Sequence, residues 1–216
     1  MPRRASVADG RPVAAPSRDW TPYRAVGAVL GIALALNLYT MNRLWASYTL
    51  IGILGFVTLT YLVHRFHWDI PAKAVWLVGV GAGLHYLGGS LSGLHTLFGS
   101  NGAYYVFPWW DNITHALGSG AVAVAAYATL RAHLKTGAVL TSFLAACVAV
   151  TAGALVEVYE FAGFVFFHTI DQGFYTNTLL DLYYNLLGAL IGTGVYARWS
   201  TRVSRIQETE PLSSSG

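Results

Sequence analysis

The stretch "TNTLLDLYYNLLGALIG" (Thr176–Gly192) has the apolarity of a membrane span, yet it carries Asp181 and, one helical turn later, Asn185. A charge at the centre of a bilayer costs about 2.5–3.5 kcal/mol even on a lenient insertion scale. Two questions follow: how the chain crosses the membrane, and what these polar groups meet inside it.

The 216-residue chain is 55% apolar and 11% charged, against roughly 25% charged for an average soluble domain. A helix needs about 20 apolar residues to cross about 30 Å of hydrocarbon. Six runs are read as spans: Tyr23–Met41, Tyr48–Val63, Ala74–Phe98, Trp109–Leu130, Gly137–Phe167 and Thr178–Trp199. The second is short and borrows from its flanks. The fifth is too long for one perpendicular crossing, with Gly163 as the expected breaking point. The expected fold class is therefore all-α, a polytopic bundle of six spans over residues 22–200. It lies between a disordered tail (1–21), which is not a clear signal peptide, and a second tail (201–216). No internal repeat points to an inverted-repeat transporter. The single Cys147 excludes an intrachain disulfide and reads as a packed mid-span residue.

Charge follows the membrane, which removes any nucleic-acid reading of the basic excess. Of the 13 Lys and Arg residues, all but Arg43 lie before or at the start of the first span, at or after the end of the last, or in the second and fourth loops. In a six-span bundle these positions share one side. The positive-inside rule then places both termini in the cytoplasm, in a multi-pass protein of the cell membrane surrounded by lipid.

That orientation gathers the intramembrane acids towards the outer face. Asp111 and His115 open the fourth span, Glu157 and Glu160 lie near the end of the fifth, and Asp181 and Asn185 near the start of the sixth. Each pair is spaced i, i+3 or i, i+4 and so shares a helix face. Lipid cannot solvate them, so they have to meet one another, water or an ion. His85 lies mid-way along the third span, and Asp171 falls in the last outer loop. His85, Asp171, Asn177, Asn185 and Gly188 are expected to support the site rather than form it. The glycine pairs Gly27/Gly31 and Gly188/Gly192 read as close helix contacts, as does the glycine-rich third span. The aromatics of "SNGAYYVFPWW" (Ser100–Trp110) read as a headgroup-level belt.

The order Asp-x-x-x-His (111–115), Glu-x-x-Glu (157–160) and "NTLLDLYYNLLGALIG" resembles the VanZ-like and YjdF-like families of small membrane proteins over roughly Trp109–Tyr196. Glu160 stands where a VanZ-like protein is expected to carry Gln. That form, with Asp171 followed by Gln-Gly, leans towards the YjdF-like group. The resemblance implies an integral membrane protein with a polar outer-half site. The founding VanZ type is associated with glycopeptide resistance, a role that the departure at Glu160 leaves untransferred.

Three functions stay open. In the first, Asp111, His115, Glu157, Glu160 and Asp181 hold a divalent metal, and Glu157, Glu160 and Asp181 act in a metal-dependent reaction on lipid or cell envelope. In the second, the pocket binds a lipid headgroup or antibiotic, or couples protons to transport. In the third, the groups only brace the helices. No metalloprotease signature and no serine or cysteine nucleophile motif is present.

Overall fold

In hydrocarbon every backbone N–H and C=O must be satisfied internally, which leaves helices or closed barrels. Here the answer is helical. The computed structural model describes residues 19–68, 70–94, 102–107, 109–134, 136–167 and 175–209, and no strand occurs among them. The elements are α1 (Thr21–Tyr39), α2 (Arg43–Arg65), α3 (Ala72–Ala82), the short α4 (Gly102–Val106), α5 (Trp110–His133), α6 (Ala138–Phe167) and α7 (Tyr175–Thr209). Helix α3 runs on through a π-helical turn at Gly83–Leu87 and ends in a 3₁₀ turn at Leu91–Gly93. Among the described residues four helices, α1, α2, α5 and α6, are long and apolar enough to cross a membrane.

Polar side chains are buried among small and apolar ones, while many large apolar side chains face outwards. Asn37, Thr49, Ser90, Ser119, Glu157, Asp181 and Asn185 are buried, while Leu54, Val139, Leu155 and Phe166 are exposed. A soluble domain would invert this arrangement. A membrane helix bundle gains nothing by hiding leucine from lipid, so small and polar side chains take the contacts between helices.

Two groups of helices make up the bundle. In the first, α1 packs on α2 and α3 around Tyr23, Val26, Leu30, Val63 and Val75. At the far end of this group the Asn37 amide donates to Thr49 Oγ1 (3.2 Å) and Ser90 Oγ (2.9 Å), which pins its three helices together. In the second, α5, α6 and α7 pack around Ala123, Ala146, Ala149 and Ala189. The two groups meet where Gly81 of α3 faces the backbone of Gly118 in α5. Lys73, at the start of α3, also lies 4.5 Å over the ring of Trp199 in α7. Before α1, the exposed Asp19 accepts from the Thr21 N–H (2.9 Å), which holds its carboxyl below the usual value.

Several sequence expectations change. Helix α6 is continuous through Gly163, because a glycine removes no backbone hydrogen bond and the intact ladder is the only one hydrocarbon permits. Helix α2 does borrow flanking residues, and α7 stays helical well past Trp199. Gly188 and Gly192 sit on the α5 backbone, but a Cβ at Gly27 or Gly31 would meet nothing. Cys147 is exposed on α6 rather than packed. The aromatic stretch divides: Trp109 is exposed, while Tyr104 and Trp110 turn inward to partners on the third span.

Candidate metal centre

Two helices with matching periodicity build the centre. Asp111, His115 and Ser119 recur at i, i+4 on α5; Asn177, Asp181 and Asn185 do so on α7. The stripes face each other because the next turns are small enough to let the backbones touch. A Cβ on Gly188 would strike the carbonyl oxygen of Ala116, and one on Gly192 would come within 2.7 Å of the Gly120 carbonyl oxygen. Helix α6 closes the third side. Its Gly153 leaves room for the Asn185 amide, which a Cβ there would approach to 2.5 Å.

His115 lies at the centre, its side chain 9% exposed. Its Nε2 stands 3.4 Å from Asp111 Oδ1 and 3.8 Å from Asp181 Oδ1. Its Nδ1 stands 3.3 Å from Asn185 Oδ1 and 3.7 Å from Glu157 Oε1. The surrounding groups are themselves fixed. Ser119 donates to Asn185 Oδ1 (2.6 Å), and the Asn177 amide donates to Asp181 Oδ2 (2.6 Å) and Asp111 Oδ2 (3.3 Å).

One atom each from Asp111, His115 and Asp181 lies within 4.8 Å of the other two. Around a tetrahedral ion with bonds of about 2.0–2.2 Å, ligand atoms stand roughly 3.3–3.6 Å apart. Small side-chain shifts would bring all three within reach of one cation. The other face of the ring matches the common habit of metal-bound histidines, in which the second ring N–H donates to a carboxylate or carbonyl that fixes its orientation. Glu157 and Asn185 are placed for that task.

The remaining expected residues sit differently. Glu160 is half-buried and lines the same cavity one turn beyond Glu157, outside the group around His115. His85 belongs to the π-helical turn, 2.6 Å by Nδ1 from the Tyr104 hydroxyl and enclosed by the rings of Trp45, Tyr86 and Tyr104. Trp110 donates to the Leu84 carbonyl beside it (3.1 Å). Asp171 lies outside the described residues. Ser119 and Tyr104 are additions to the expected site, Tyr104 being one of the aromatics assigned to the headgroup-level belt. Ser119 was detectable, since it continues the Asp111–His115 stripe by one more turn.

Apolar helices with exposed hydrophobic faces and polar groups buried between them define a multi-pass membrane protein, embedded in lipid. The chain belongs to the family described as "Predicted membrane protein (DUF2238)", whose profile matches residues 22–202. No curated protein and no solved structure matches it.

Proposed function

We propose that this protein is a membrane metal-binding protein, with a divalent cation held by Asp111, His115 and Asp181. One observation carries the reading. Both carboxylate oxygens of Glu157 and Oδ1 of Asp181 are buried without a hydrogen-bond partner among the described residues. An unsatisfied buried polar group costs about 1–3 kcal/mol, and more when charged. A cation would satisfy Asp181 Oδ1 directly and, through the imidazole N–H turned towards Glu157, give that carboxylate a donor, and the oxygen and imidazole donors suit Zn²⁺, Mn²⁺ or Fe²⁺. When bound, such an ion polarises a coordinated oxygen and acidifies a bound water, the chemistry used in lipid or cell-envelope hydrolysis. The chain's own part is to hold and orient: Asn177 spans the two aspartates, Ser119 fixes Asn185, and Glu157 with Asn185 sets the imidazole.

The proposal extends to topology. Six segments cross the membrane, both termini are cytoplasmic and the centre lies near the outer face. The distribution of Lys and Arg supports this. So does the end-to-end sense of the contacts: α5 and α7 run parallel through their matching stripes, and Lys73 meets Trp199 at one end of the bundle. The likeness of the three motifs to VanZ-like and YjdF-like proteins supports a shared polar site.

A second reading draws on Asn177, whose bridge between Asp111 and Asp181 is also what a purely structural brace between helices would use. Elemental analysis of detergent-purified protein separates the two. Stoichiometric metal in the parent, lost in Asp181→Asn and reduced in Glu157→Gln, supports the ion. Chelator should also lower the thermal stability of the parent and leave Asp181→Asn unaffected, since binding to the folded state has gone. A metal-free parent indifferent to chelator and tolerant of both amides leaves only the brace.

A further inference from the structure

The centre forms one end of a cavity of about 1100 Å³, at the upper limit of small-molecule pockets, which run from roughly 300 to 1,000 Å³. Away from His115 its walls are mostly apolar, with Val78, Ala82, Val122, Ala149 and Ala152 among them, and Glu160 is the one acid outside the group around His115. On one flank stand α2 and α6. These two helices touch through Tyr48 and Tyr159, ring centroids 5.5 Å apart, and do not pack along their length. Four side chains here belong both to the cavity wall and to the outer surface: Ile51 (47% exposed), Leu155 (63%), Val156 (40%) and Tyr159 (39%). In a membrane protein that outer surface faces acyl chains, so the cavity opens sideways into the bilayer.

From this geometry we propose that a membrane lipid occupies the cavity. It passes between α2 and α6, lays an acyl chain along the apolar walls and brings its polar group to His115. The proposal rests on the metal-centre reading for its polar end and names the substrate class of that centre. The walls argue for lipid over other occupants. A peptide strand would bury backbone N–H and C=O groups against alanine and valine that offer them no partner. A small polar solute would leave the apolar end unused, whereas an amphipathic molecule of the membrane matches both ends.

The test uses the full-length protein in nanodiscs of phosphatidylethanolamine and phosphatidylglycerol, released into mild detergent and analysed by native mass spectrometry. Metal content is measured on the same samples. The parent should retain lipid. Ala152→Trp, which fills the apolar end, and Val156→Trp, which blocks the exposed rim, should retain about tenfold less or lower still, the scale on which small steric changes act in apolar pockets. Metal content should stay unchanged in both. A parent that retains no lipid, or variants that retain as much as the parent, would overturn the proposal. Should Ala152→Trp fail to fold, Val156→Trp decides alone, because its exposed position tolerates bulk. Lipid retention in a metal-free parent sinks the metal-centre reading and upholds the lipid cavity.

Discussion

Asn177 reaches two carboxylates with one amide nitrogen, and its removal is informative because it is itself no metal ligand. Such supporting groups typically contribute 10–100-fold to metal affinity. Asn177→Ala should therefore weaken metal binding by about that factor in a competition titration against a chelator, with the ligand set intact. Lower thermal stability with unaltered metal affinity would make Asn177 a brace instead. At this scale the sequence was readable wherever helical spacing paired two polar residues, as at Asp111 and His115 or Asp181 and Asn185. Ser119 escaped notice because a serine in a membrane helix can satisfy itself on its own backbone. Tyr104 escaped because its aim depends on where the short α4 docks, and periodicity carries no such information.

Helix contacts show how one motif has two outcomes. Gly27/Gly31 and Gly188/Gly192 share the small-xxx-small spacing, but only the second pair has a backbone against it. Spacing permits close approach; the neighbour decides whether it happens. Gly188→Ala would push a methyl group into the Ala116 carbonyl, a backbone atom unable to rotate away. The expected cost is about 1–3 kcal/mol, typical of overpacking, and a wider α5–α7 gap should lower metal content too. Gly27→Ala has open space and should be neutral or stabilising by roughly 0.5–1 kcal/mol, as alanine is the better helix former. Thermal unfolding in detergent measures both, and equal midpoints for the two variants would show the α5–α7 contact to be misplaced. The intact α6 teaches a related point. A lone glycine signals a break where water can take the freed backbone groups, and hydrocarbon removes that option.

Across the whole molecule, composition revealed a membrane helix bundle because charge is so scarce, and the locations of the apolar runs gave most helix positions to within a few residues. It could not reveal the cavity, which arises from two helix groups meeting along only part of their length. Orientation is open to direct measurement. In a Cys147→Ala background, needed because Cys147 is exposed on α6, Ser100→Cys and Gly173→Cys should react with an impermeant thiol reagent in intact cells. Ser6→Cys should react only after lysis. The opposite pattern would put the centre on the cytoplasmic side. The sharing of the centre among the last three helices has a further consequence, for biosynthesis. Ribosomes deliver α5 with Asp111 and His115 first, then α6 with Glu157, and only at the end α7 with Asp181 and Asn185. Until that last helix arrives, Asp111 and Glu157 have His115 alone between them, without the Asn177 bridge, the Asn185 contact or Asp181 itself. A chain released before α7 therefore carries an open, half-built centre, and only the arrival of the last helix closes it.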